Sequence, residues 1–99
     1  MDVKLVNRGE EGELLLSGDL DTKTVRDAEQ LFLKLAERFS RMILNMKDLK
    51  YVSSAGLRSI RNLYMALYKK GGTLSIINVS DNVMEVFEMT GLAGLLNIR

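Results

Sequence analysis

Ser53 and Ser54 are the residues of this chain best placed to do chemistry. They stand in Tyr51-Val52-Ser53-Ser54-Ala55-Gly56-Leu57, after the apolar stretch Met42-Ile43-Leu44-Asn45-Met46 and at the head of a long amphipathic segment. The pair therefore lies in a loop at the start of a helix, where hydroxyls are exposed. One use is structural: a serine oxygen accepts from the free N–H groups of a first helical turn, and local sequence alone favours that capping role. The other is modification. A phosphoserine carries about −1.5 to −2 charges near neutral pH, which the free N–H groups and the positive end of the helix dipole tolerate. Phosphate added here would alter a docking surface and leave the fold standing.

Little else competes for chemistry. The chain has no His and no Cys, so His-based triads, thiolate sites and the common metal centres are excluded. Gly9-Glu10-Glu11-Gly12 and Ser54-Ala55-Gly56-Leu57 lack the Lys and glycine spacing of a nucleotide-binding loop. A Ser–Lys pair with Lys47 or Lys50 has no supporting motif. Asp19 and Asp21 could form a carboxylate pair for acid–base work or a cation, but such residues are more often loop charges and caps. We expect no metal, no cofactor and no enzyme.

Arg58, Arg61, Lys69 and Lys70 give the second helix a basic side, ordinarily a solvated face and able to steer an acidic partner. Tyr64 and Tyr68, one turn apart, read as core packing. With 14 basic and 13 acidic residues the net charge is +1, which gives no reason to expect nucleic acid or an anionic membrane as partner. The start, Met1-Asp2-Val3-Lys4-Leu5, lacks the apolar core of a signal peptide. No apolar run approaches the roughly 20 residues of a membrane span. These features predict a cytoplasmic protein.

The elements that must position the serines follow from periodicity. Val3–Val6 and Glu13–Ser17 read as strands joined by the polar turn Asn7–Gly12, a hairpin signal. The three leucines at 14–16 suggest a strand buried on both faces. Gly18–Thr22 reads as a loop in which Asp21 or Thr22 caps the next helix. Val25, Ala28, Leu31, Phe32, Leu35 and Phe39 form one helical stripe. Arg41–Met46 is a third strand and Lys47–Val52 a connection. Leu57, Ile60, Leu63, Tyr64 and Leu67 line the second helix, which Gly71-Gly72 ends. Thr73–Asn78 is a fourth strand. A third helix carries Val83, Val86 and Phe87 behind a cap at Ser80 or Asp81, and Gly91 stops it. Leu95–Ile98 supplies an edge strand. Helices alternating with strands after a hairpin favour right-handed crossovers and a mainly parallel sheet, covered mainly on one face. The expectation is a single α/β domain over residues 1–99. Its mixed sheet has about four to five strands, an N-terminal antiparallel hairpin and about three main helices.

This order of elements, together with the serine pair, resembles the STAS domain, the fold of bacterial anti-sigma factor antagonists, over nearly the whole chain. Leu16-Ser17-Gly18-Asp19-Leu20-Asp21 is similar to the family's strand-end pattern of glycine, variable residue, leucine, aspartate. Ile43-Leu44-Asn45-Met46 followed by Tyr51–Leu57 looks like its central strand and phosphorylation loop. Gly71-Gly72-Thr73-Leu74 and Thr90-Gly91-Leu92 fit its later strand start and final helix end. Aligned on Gly56-Leu57, the family's phosphoacceptor falls on Ser54, with Ser53 as the alternative. Ser53 stands where the family often has aspartate, and so does Asn45 in the central strand.

What the resemblance implies is a partner switch. The unphosphorylated antagonist binds an anti-sigma factor that is also a serine kinase, and sigma factor is released. Phosphorylation on Ser54 ends the binding, and a serine phosphatase restores it. In that reading the docking surface should include Ser53, Ser54, Gly56, Leu57 and Arg58, with Gly18, Leu20 and Asp21 from the neighbouring loop, since helix starts and these loops share one sheet end if the strands are parallel. ATP would belong to the kinase. The alternative is a STAS domain that is never phosphorylated and serves as a scaffold or accessory subunit of a transport or signalling assembly.

Overall fold

The computed structural model describes residues 1–98. Its elements run β1 (Asp2–Arg8), β2 (Glu11–Leu20), α1 (Val25–Arg38), β3 (Arg41–Val52), α2 (Ser54–Lys69), β4 (Thr73–Ile77), α3 (Asp81–Met89), α4 (Leu92–Leu95) and β5 (Asn97–Ile98). The strands form one five-stranded sheet in chain order, β1-β2-β3-β4-β5. The β1–β2 hairpin is antiparallel, and every later pair is parallel. Gly9, at φ +80°, opens the tight turn of the hairpin, where a side chain would be strained.

Each parallel pair is joined through a helix to the strand next in line. Successive right-handed crossovers in one direction place the helices on the same face. The register lines up Leu5, Leu14, Leu44, Ile76 and Ile98 across all five strands beneath them. Leu14, Leu44 and Ile76 are fully buried, in one core with Phe32, Ile60, Leu63 and Phe87 from the helices. Leu15 points the other way and is only half-buried, so the triple leucine does not mark a strand covered on both faces. Alternation along β2 assigns its side chains to opposite faces, and one face has no helices on it.

That open face carries a polar chain. Arg8 donates to Glu13, Asn45 Nδ2 donates to Glu13 Oε2 at 3.1 Å, and Asn78 Nδ2 donates to Asn45 Oδ1 at 3.1 Å. The Lys47 N–H also donates to Asn45 Oδ1, at 3.1 Å. The hydrogen bonds from Arg8, then from Asn45, hold the Glu13 carboxyl below the usual carboxylate range.

Two segments differ from expectation. Gly18–Leu20 belongs to β2 rather than to a loop, and Lys47–Val52 belongs to β3 rather than to a connection. The cause is a pair of register shifts, between Leu15 and Ser17 and between Gly18 and Asp19 of β2, each adding a residue to β3. They leave Met46, Leu49 and Val52 buried at a spacing of three, which hides the strand from a period of two. The tail after α3 also differs: Leu92–Leu95 is a short helix, and the edge strand begins at Asn97. Tyr68 is 65% exposed and stacks on Tyr64 at 5.8 Å between ring centres, so it is not core.

The helix ends are specified locally. Ser80 accepts from the Val83 N–H and caps α3. The Gly72 N–H donates to Leu67 O at 2.7 Å and the Gly71 N–H to Tyr68 O at 3.0 Å, with Gly71 at φ +78°. This pairing of bonds is the Schellman closure, which needs a residue tolerant of the left-handed conformation.

Candidate functional site: the head of the second helix

Because β2, β3 and β4 run parallel, their C-terminal ends and the starts of α1, α2 and α3 share one rim. At its centre β2 and β3 close on the Leu20–Val52 pair. The Ser53 N–H then donates to Leu20 O at 2.9 Å. Ser53 is the N-cap of α2: its Oγ accepts from the Gly56 N–H at 3.1 Å, and its carbonyl accepts from the Leu57 N–H at 2.9 Å. The capping role is therefore taken by Ser53. Ser54 is the first residue of α2, exposed, and its hydroxyl has no hydrogen-bond partner among the described residues. The two hydroxyls have separate tasks, one turned into the helix and one turned out.

Gly56 explains how the strand end and the helix come so close. A Cβ on Gly56 would lie 2.5 Å from Leu20 O, inside any permissible contact. Ser59, 1% exposed, then locks the turn by donating from Oγ to Gly56 O at 2.6 Å. Leu57 and Leu20 are buried below. Leu20, Gly56 and Leu57, all expected at the partner surface, are buried here and hold the loop in place. Gly18 sits between the two register shifts at φ +90° and shapes the strand.

Asp21 lies at the same rim, half-buried. Its Oδ1 accepts from the Lys23 N–H at 2.9 Å and the Thr24 N–H at 3.2 Å. It organises the turn before α1, whereas Thr22 takes no capping role and Thr24 is the N-cap position. Those hydrogen bonds, Lys23 first, hold its carboxyl below the ordinary range. The Asp21 carboxylate is thus engaged in holding the turn before α1.

Beside Ser54 lies a hollow of about 250 Å³ walled by Leu57, Arg58, Arg61, Thr90 and Leu92. Arg58 and Arg61 are exposed and form no ion pair with a described residue. Thr90 and Leu92 join the site from the α3–α4 junction, and sequence reasoning placed neither there. Their only signal was the helix-end pattern Thr90-Gly91-Leu92, which says nothing about nearness to Ser54. A larger hollow of about 380 Å³ lies between Met1, Val3 and the start of α1. Among the described residues no group of acidic side chains could hold a metal ion, and no helix is long and apolar enough to cross a membrane.

Comparison with known proteins agrees with this architecture. The family model of the STAS domain matches residues 4–99. The anti-sigma-B factor antagonist of Staphylococcus aureus is 31% identical over 88 residues, 88% of this chain and 82% of that protein. An anti-sigma factor antagonist from Mycobacterium paratuberculosis superposes with a TM-score of 0.88 at 16% identity, over 98% of this chain and 83% of the other. The phosphorylated form of SpoIIAA, a Bacillus cell fate determinant, superposes with a TM-score of 0.78 at 20% identity, over 99% of this chain and 91% of the other. The chain belongs to the STAS domain family, and it is similar in sequence to the anti-sigma-B factor antagonists of Staphylococcus aureus and Bacillus subtilis.

Proposed function

We propose that this protein is an anti-sigma factor antagonist controlled by phosphorylation on Ser54. The unphosphorylated form binds a cytoplasmic anti-sigma factor with serine-kinase activity, and sigma factor is released. The kinase passes the γ-phosphoryl group of its ATP to Ser54 Oγ, which loses its proton, and ADP leaves. The complex then separates, and a serine phosphatase returns the free hydroxyl. The chain itself needs no cofactor in this cycle.

The observation that carries the reading is the division of labour between the two serines. Ser53 Oγ is engaged with Gly56 N–H, while Ser54 is exposed and unengaged among the described residues. A kinase therefore reaches Ser54 without disturbing the cap. The names of the sequence relatives support the same role. Of the residues expected to touch the partner, Ser54 and Arg58 are exposed, with Ser53 and Asp21 half-buried beside them.

Titration of a kinase-type anti-sigma factor from the same host into Ser54 variants tests this. Ser54→Ala should bind within about twofold of the unmodified chain, and Ser54→Asp at least tenfold more weakly, a difference of about 1.4 kcal/mol. Equal affinities for all three forms would sink the proposal. Phosphate absent from Ser54 in every growth state of the host would favour the constitutive scaffold.

A further inference from the structure

We propose that Arg58 and Arg61 form an intramolecular receiving site for the phosphoryl group on Ser54. The proposal rests on the preceding reading for the phosphate itself and adds where that phosphate goes. Ser54, Arg58 and Arg61 are spaced four and three apart along α2, on one face of the helix. Their Cα atoms lie about 6 Å and about 10 Å along the axis from Ser54, at 1.5 Å per residue. Long side chains on a helix lean toward its N-terminus, so both guanidinium groups are carried back toward the serine. The three side chains line the same 250 Å³ hollow.

The hollow suits a dianion. Two guanidinium groups match the roughly −1.5 to −2 charges of a phosphoserine, and arginine meets phosphate oxygens with paired N–H donors. No carboxylate lines the hollow to compete for them. Leu57 and Leu92 are nearly buried and make part of its wall apolar, which strengthens ion pairing relative to open water. Thr90 also lines the hollow, and its hydroxyl lies within donating distance of Val86 O and Phe87 O, at 3.0 and 3.1 Å. Before modification the two arginines present a basic face on the rim. After modification the phosphate neutralises them, and an acidic partner surface loses its counterpart. On this account the switch acts by removing positive charge, and bulk is secondary.

The test needs neither kinase nor partner. Phosphoserine is encoded at position 54 during synthesis, and its titration is followed by ³¹P NMR in the otherwise native chain and in an Arg58→Ala/Arg61→Ala variant. Both chains keep the same helix start, so the difference isolates the arginines. The phosphate midpoint should lie at least half a pH unit lower with the arginines present. An Arg58→Gln/Arg61→Gln variant, which retains helix propensity, should behave as the alanine variant does. Equal midpoints in all three chains would overturn the proposal. The two readings fail separately. A lowered midpoint with partner binding indifferent to Ser54 keeps the clamp and defeats the antagonist role. Equal midpoints with binding lost on phosphorylation do the reverse.

Discussion

At the scale of single residues, the site depends on two serines with different environments. Ser53 lends its oxygen to the Gly56 N–H, and its own N–H holds Leu20 O. Ser53→Ala should therefore lower stability by about 1 kcal/mol, the usual worth of an N-cap. Ser54→Ala, at an exposed first-turn position, should leave stability within about 0.5 kcal/mol of the parent. Urea denaturation of the two variants checks both. Gly56→Ala should cost more than the lost cap, because its Cβ meets the Leu20 carbonyl and backbone must move. The amphipathic pattern and the capping chemistry of serine made the helix start legible in the sequence. The assignment of cap to one hydroxyl and exposure to the other needed the hydrogen bond to Gly56.

At the scale of elements, the polar chain across the open sheet face joins β1, β2 and β3 to the end of β4. Asn45, 9% exposed, donates to Glu13 and accepts from Asn78 and the Lys47 N–H. The family often has aspartate at this position, but here the Glu13 side chain, 12% exposed, stands beside it. Asn45→Asp should replace a donated hydrogen bond by like-charge repulsion and destabilise the fold by about 1–3 kcal/mol near neutral pH. Glu13→Gln in the same chain should recover most of that loss, and a double-mutant cycle by thermal unfolding measures the coupling. The strands on either side show why boundaries were harder to read than elements. Two register shifts change the burial spacing of β3 from two to three after Met46. Lys47, Asp48 and Lys50 are exposed there and look like a connection, although the strand continues through them, with Asp48, Leu49, Tyr51 and Val52 paired to β2.

At the scale of the whole molecule, acid stability follows from two carboxylates. Glu13 and Asp21 are both held below their ordinary range in the folded chain. A carboxylate with a depressed folded value stabilises the fold fully above its unfolded value and loses that contribution as pH falls through the folded one. Unfolding free energy should therefore be flat near neutrality and decline as pH drops below about 4. The decline should be shallower in Glu13→Gln, as chemical denaturation at a series of pH values would show.

The sequence by itself determined the local physics: where the three long helices lie, where glycines end them, and which hydroxyls stand at a helix head. These depend on periodicity and on groups a few residues apart, and both are written along the chain. The absence of His and Cys also narrowed the chemistry, since composition does not depend on folding. Only the tertiary structure decided what depends on residues distant in the chain. It set Leu20 O against Gly56, so that the strand end and the helix start hold each other in place. It also brought Thr90 and Leu92 beside Ser54, to line the hollow that Arg58 and Arg61 share. Parallel crossovers gather helix starts at one rim, and the distances within that rim are fixed by packing across the sheet, which no local pattern records.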